Sequence, residues 1–417
     1  MRNQTKEDEE MTAQIKRFTL GLTILIVTIG LIGLCWNVLA TSGDQQKQTT
    51  ANAAIADLED LVTGNTAFAF NLYQNLSQEG ENLFFSPYSI SLALAMTYAG
   101  ARSTTEEQMA ETLHFTTLGQ DRLHPAFNAL ALELASRGED PAVKKEEERF
   151  QLHVANALWG QVGYGFLSDF LDFLAENYGA GVQTADFIDT PEQAREKINR
   201  WVSDETEGRI ENLLPPGSIN PLTRLVLTNA IYFKATWKYR FDERFTHDSP
   251  FTLLDGNQVT VSMMEQIKRF MYVEGTEYQA VELPYIGDQL SMVILLPEAS
   301  QFEEFSQGLN AEQVRDILNS MKDTEDIHLY MPDAFVFGAA DFSGMDGTRE
   351  LFIGDVFHKA FVSVDENGTE GGGATAVPMP CALSTEVKLD HAFIFLIRDI
   401  ETGTILFMGQ VLDPSAS

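Results

Sequence analysis

A run of very small residues constrains this chain more than any other feature. Asp365-Glu366-Asn367-Gly368-Thr369-Glu370-Gly371-Gly372-Gly373-Ala374-Thr375-Ala376 carries no bulky side chain and lies about 50 residues before the C-terminus. Strand-like, β-branched sequence flanks it at 360–364 and 387–397. A packed core has no use for such a run, because glycine buries nothing and loses the most backbone entropy on ordering. A segment that begins as an exposed loop and later slides between two strands does have a use for it. Small side chains pass through a gap in a sheet where large ones would jam.

With 417 residues, 44% of them hydrophobic, the chain can bury one large core or two small ones. Its 61 acidic residues against 28 basic ones give a formal net charge of -33, which repels nucleic acid and anionic membrane surfaces. The acidity is read as a solubilising surface. The two cysteines, Cys35 and Cys381, fall in an apolar N-terminal segment and in the small-residue region, so no disulfide is expected.

Residues 1–17 form a polar tail ending in Lys16-Arg17, and 18–36 run for 19 residues without a charge. That length suits a membrane-spanning helix, while Val38-Leu39-Ala40 offers a cleavage site, so 18–40 is a transmembrane anchor or a signal segment. The basic pair on its N-terminal side puts the rest of the chain outside the cytoplasm, extracellular or periplasmic. Residues 41–54 are a linker, and 55–417 the folded domain.

Helical spacing predicts helices at 55–76, from Ser86-Pro87 to Ala99, at 127–136 and at 168–178. Ser103-Thr104-Thr105-Glu106 has the pattern of a capping box, and Thr190-Pro191-Glu192-Gln193 opens another helix. Strands are expected at 151–159, 224–234, 280–283, 289–296, 360–364 and 387–397. Helices early and strands late, without strict alternation, indicate an α+β fold.

No constellation for catalysis stands out. The seven histidines lack the spacing of a helix-borne zinc site, and neither a metal nor a cofactor is expected. Gly371-Gly372-Gly373 lacks the Lys-Ser/Thr of a phosphate loop. Cys381 has no base near it in sequence and sits in a loop, where catalytic geometry is hard to hold. The chain is expected not to be an enzyme, but something that enzymes act on.

Three further motifs accompany the small-residue run: Asn82-Leu83-Phe84-Phe85-Ser86-Pro87-Tyr88-Ser89-Ile90, Leu227-Thr228-Asn229-Ala230-Ile231-Tyr232-Phe233-Lys234-Ala235-Thr236-Trp237, and Phe407-Met408-Gly409-Gln410-Val411-Leu412-Asp413-Pro414. In this order and at this spacing the chain resembles the serpins over most of residues 55–414. The resemblance implies three β-sheets, about eight or nine helices and an exposed reactive-centre loop. It implies an irreversible, suicide-substrate inhibitor of serine proteases, expected to be a monomer. A target protease cuts the loop, stays joined to it as an acyl-enzyme, and is dragged and distorted as the loop inserts into the central sheet. The folded molecule is then a kinetic trap.

Carried over residue by residue, the hinge of that loop is Glu366, Gly368, Thr369, Gly371, Gly372, Gly373, Ala374, Thr375 and Ala376. Counting forward from Glu366 and back from Glu386 gives two answers for the cut bond, Ala382-Leu383 or Cys381-Ala382. Either offers a small residue, which suits elastase-like or subtilisin-like enzymes. The gate under the central sheet maps to Ser86, Ser89, Asn229 and His358, with Trp237 where the loop first enters.

Several positions depart from the family pattern. After Met331-Pro332 the chain is about twenty residues short, enough to carry the end of an edge strand and a short helix. Ala235 stands where glycine is usual, and Ala392 where proline is usual. Asn367-Gly368-Thr369 is a glycosylation sequon in the hinge. Only Arg122, Arg137, Lys144 and Lys145 lie in 121–148, where a sulfated-polysaccharide activator would bind. A non-inhibitory binding or carrier protein of the same fold, cleaved as a simple substrate, is the alternative.

Overall fold

The apolar spacing near the start of the folded domain and the strand-like runs towards its end become eight α-helices and fifteen strands among the described residues. The computed structural model describes residues 54–137, 150–179, 181–333, 356–361, 364–366, 368–369 and 385–415. All of these lie in one unit, Gln48–Ser417. The candidate membrane segment at 18–36 lies outside them; among the described residues no helix is long and apolar enough to cross a membrane.

The elements run α1 (Ile55–Leu76), β1 (Leu83–Phe85), α2 (Pro87–Tyr98), α3 (Thr104–Thr112), α4 (Gln120–Ser136), β2 (Gln151–Gln161), α5 (Ser168–Tyr178), β3 (Gln183–Ala185), α6 (Pro191–Glu205) and β4 (Leu225–Thr236). There follow β5 (His247–Thr252), β6 (Gln258–Glu274), β7 (Tyr278–Pro284), β8 (Leu290–Pro297), α7 (Phe302–Gly308), α8 (Ala311–Ser320) and β9 (Lys322–Pro332). The last are β10 (Val356–Phe361), β11 (Val364–Asp365), β12 (Gly368–Thr369), β13 (Thr385–Lys388), β14 (Phe393–Asp399) and β15 (Ile405–Val411).

This is the expected α+β architecture, with one difference in how the sheets join. Two hydrogen-bonded sheets, of nine and six strands, are present among the described residues. Two of the three expected sheets run together through the seventeen-residue β6, which pairs β5 along its first part, β9 through its second half and β7 at its end.

Within the six-stranded sheet, β4 is flanked by antiparallel β2 on one side and parallel β10 on the other. Its residues are buried almost throughout, as a strand covered on both faces requires. Trp159, Phe187, Ile198, Val202 and Val226 pack α6 onto one face. Ala93, Met96, Leu158, Leu174 and Leu227 join α2 and α5 to the other.

The early and late motifs meet in space. β1 pairs β15 antiparallel, and Asn82 Oδ1 accepts the backbone N–H groups of Leu412 (2.7 Å) and Asp413 (3.0 Å). A Cβ on Gly409 would stand 2.4 Å from the Leu83 carbonyl oxygen, so this close approach needs glycine.

Several sequence expectations need correction. Ser103 lies at φ 59 with no side-chain cap, and Glu106 instead accepts from Gln120 Nε2 at 2.8 Å, so the capping box does not form although the helix does. Thr190 makes no side-chain cap either, leaving Pro191 as the start signal. The strand expected at 387–397 is two strands, because 389–392 turn away: Asp390 N–H bonds back to Lys388 O at 2.9 Å. α4 begins seven residues earlier than expected and contains Pro125.

Candidate functional site

Ser86 caps α2: its Oγ accepts from Ser89 N–H at 3.1 Å and donates to the Leu406 carbonyl at 2.6 Å. Proline at the next position is preset for a first helical turn. This fixes the helix end beneath β4, where Asn229 reaches down. Asn229 Nδ2 donates to the Ser89 carbonyl (2.6 Å), to Ser89 Oγ (2.7 Å) and to Asn156 Oδ1 (2.5 Å).

Across the sheet, the register places His358 of β10 and Asn156 of β2 opposite Asn229. His358 Nδ1 bonds Asn229 Oδ1, and its Nε2 lies 3.3 Å from Ser86 N–H. The carbonyl-type oxygen must accept and the N–H must donate, so Nδ1 carries the proton and Nε2 accepts. Ser86, Ser89 and Asn229 are wholly buried and His358 is 2% exposed. Burial pushes the imidazole down to about 3, so it is neutral in this network.

The structure thus brings together Ser86, Ser89, Asn229 and His358. It adds Asn156, which sequence reasoning missed. Asn156 donates to the Ser89 carbonyl at 3.1 Å. Its signal was present: an amide between Ala155 and Ala157, the one polar side chain in the run Val154 to Trp159. A fully satisfied polar network of this kind holds two neighbouring strands in register while leaving hydrogen-bonding groups able to re-pair if they part.

The first residues of the expected hinge are in the sheet already. Val364–Asp365 turns back on Gly368–Thr369, with Val364 opposite Thr369 and Asp365 opposite Gly368. Gly368 and Thr369 then pair antiparallel with Thr236 and Ala235 of β4. β2 occupies one side of β4, so β12 and β10 share the other, with β12 three residues beyond the last β10 pair at Tyr232. The ladder on β4 has thus begun with Gly368 and Thr369 in the uncut chain. Two contacts hold the turn: Phe241 N–H donates to the Glu366 carbonyl at 2.8 Å, and Thr246 Oγ1 donates to Glu366 Oε1 at 2.6 Å. Neither Phe241 nor Thr246 was foreseen.

Trp237 follows immediately, 1% exposed, its ring stacked on Tyr285 with centroids 4.6 Å apart. It therefore sits one residue past the position where β12 meets β4. Gly371, Gly372, Gly373, Ala374, Thr375 and Ala376 of the hinge, and Cys381, Ala382 and Leu383 of the reactive bond, lie outside the described residues. Among the described residues no group of His, Cys, Asp or Glu is arranged to hold a metal ion.

The family model described as Serpin (serine protease inhibitor) matches residues 63–335 and 327–414. The two matches overlap where the chain was expected to be short. Leukocyte elastase inhibitor A of Rattus norvegicus is 38% identical over 86% of this chain and 100% of its own length. An uncharacterised serpin-like protein of Thermococcus kodakarensis is 37% identical over 96% of this chain and 99% of its own. The crystal structure of uncleaved ovalbumin superposes with a TM-score of 0.73 at 27% identity, covering 85% of this chain and all of that one. The family model spans nearly all of the folded unit and the relatives are covered over their whole length, so the chain belongs to the serpin family of serine protease inhibitors.

Proposed function

We propose that this serpin is an irreversible, suicide-substrate inhibitor of elastase-like or subtilisin-like serine proteases, working outside the cytoplasm. The observation that carries the reading is the two-residue ladder of Gly368–Thr369 on the edge of β4 that β10 also occupies. A loop with its first rungs placed needs no search to continue. The protease serine attacks the carbonyl of Ala382 or Cys381, an ester forms, and the amine of the following residue leaves as the new N-terminus. Residues 370 onward are then free to extend β12, and the six β4–β10 register pairs open to receive them.

The driving force favours this. On the order of ten new backbone hydrogen bonds, each about 0.5–1.5 kcal/mol net, add to apolar burial. Their sum rivals the stability of an ordinary domain. From Thr369 to Ala382 a strand at about 3.3 Å per residue is roughly 40 Å long. The acylated enzyme travels that far, its active site is distorted, and the ester outlasts its attempt at hydrolysis.

The name of the rat relative makes an elastase the first enzyme to try. Residues 18–36 tether the domain to a membrane, or cleavage after Ala40 releases it. The covalent partner is the target protease, and the inhibitor acts as a monomer.

The test is to mix the purified domain with pancreatic elastase and, separately, subtilisin, and run denaturing gel electrophoresis. A band at the summed mass, together with N-terminal sequencing that starts at Leu383 or Ala382, is the expected result. Clean cleavage without that band contradicts inhibition and favours the binding or carrier alternative.

A further inference from the structure

The strand that follows the reactive-loop region is moored by little backbone of its own. β13 has four residues, stands at the end of the nine-stranded sheet and, among the described residues, pairs with β9 alone. Val387 and Leu389 are wholly buried, Leu389 N–H donates to the Tyr330 carbonyl at 3.0 Å, and Gln279 Nε2 donates to the Glu386 carbonyl at 3.1 Å. The chain then turns through 389–392 into β14. Ala392 closes that corner where a proline would have restricted the residue before it, so the turn depends on other ties.

His391 supplies them. Its Nδ1 lies 2.9 Å from Asp390 Oδ1, and its Nε2 lies 2.8 Å from the Pro297 carbonyl oxygen at the end of β8. A carboxylate and a carbonyl can only accept, so both ring nitrogens donate and the ring is an imidazolium. The Asp390 carbonyl accepts from Thr252 N–H at 2.7 Å, and His391 forms an isolated bridge with Thr252, the last residue of β5. One corner thus joins the ends of β5 and β8 to the link between β13 and β14.

The charge on the ring is set locally. Burial works against it, but the bonds to Asp390 and Pro297 and the Asp390 charge outweigh burial and raise the imidazole above its ordinary 6.5. Lys388 lies 3.4 Å from Asp390 on the same turn. Glu298 after Pro297 and Asp255 beyond β5 exert no such pull on the ring, and Asp255 accepts from Asn257 N–H instead. Stripped of one proton, the ring keeps a single N–H. Either Asp390 or the Pro297 carbonyl then faces a lone pair, and the corner loses one of its two ties.

We propose that Asp390 and His391 form a proton-operated clasp that moors β13, and with it the C-terminal end of the reactive loop, and that opens on the alkaline side. In an opened corner the ring titrates near 6.5, and in the shut corner at a higher pH. Shutting is therefore fully favoured below 6.5, and the advantage is lost as pH rises through the value of the held ring. His358 takes no part in that range, being neutral down to about 3. The clasp stands whether or not the loop traps an enzyme.

The test follows the intact protein from pH about 6 to about 9, with isotope-labelled histidine rings observed by nuclear magnetic resonance. His391→Gln identifies the ring signal by its loss. Hydrogen exchange, corrected for the intrinsic pH dependence of amide exchange, reads the corner through the Leu389 and Thr252 N–H groups. The ring should titrate above 6.5, with both nitrogens protonated at the acid end. Protection of the two amides should fall in total by about tenfold for each pH unit by which that midpoint exceeds 6.5, while protection along β4 stays constant. In His391→Gln the fall should vanish. The exchange measurement on the unaltered protein needs no variant. A midpoint at or below 6.5, or corner protection that stays level as the ring loses its proton, overturns the clasp.

Discussion

His358 shows how much one side chain carries. It offers an N–H to Asn229 Oδ1 and a lone pair to Ser86 N–H, and only the neutral ring does both. Unfolded, the imidazole takes up a proton near 6.5, whereas folded it does so only near 3. Between those values the unfolded chain binds more protons, so acidification weakens the fold. His124, lowered to about 4 by burial and then by Arg102, acts in the same direction. The intact domain should therefore melt at progressively lower temperature as pH falls from about 7 to about 5. His358→Ala should lower stability by about 2–5 kcal/mol at neutral pH, because Ser86 N–H and Asn229 Oδ1 lose this partner in a buried site. It should also make the acid dependence shallower. Thermal melts across pH check both; an unchanged slope would show that the ring does not titrate as described.

At the scale of elements, the proposed insertion would account for the small residues. Extending β12 sets Gly371 opposite Phe233, Gly373 opposite Ile231 and Thr375 opposite Asn229, and each of these β4 residues is wholly buried. Residues directly opposite in an antiparallel pair share a face, so the inserting strand meets an already filled core there. Gly373→Arg would put a guanidinium opposite Ile231, which is wholly buried, only when the loop inserts. An unpaired buried charge costs several kcal/mol, and each ~1.4 kcal/mol on the insertion barrier slows it about tenfold. Cleavage then outruns trapping: the variant should be cut at the normal rate while its adduct yield falls at least about tenfold on a gel. An undiminished yield would falsify insertion through this register.

The same elements show which parts of the fold were readable from sequence. α1 and α5 kept their expected bounds because apolar spacing and an end signal agreed. α8 went unnoticed although Asn310 caps it, accepting from Glu312 and Gln313 N–H, because only Val314 and Ile317 are buried in it. β6 and β9 were missed because each mixes exposed charged positions with buried ones and rests on long-range pairing with the other. The clustered Ser86, Ser89 and Asn229 were accessible through the motifs, whereas Asn156 and Thr246 matter only through partners distant in sequence.

For the whole molecule, the proposed mechanism requires an intact chain caught short of its most stable arrangement. β10 occupies the β4 edge that the loop would fill, and the polar cluster around Asn229 joins β4, β10 and α2 in that arrangement. The separation between the intact and inserted forms is the central claim, and clipping the loop without trapping an enzyme exposes it directly. A catalytic amount of a protease that cuts between 376 and 385, followed by calorimetry of intact and clipped protein, makes that measurement. The clipped form should melt higher by at least about 10 °C, as an added strand worth many kcal/mol requires even when each one moves a large domain only a few degrees. Equal melting temperatures would contradict the stored energy on which inhibition depends.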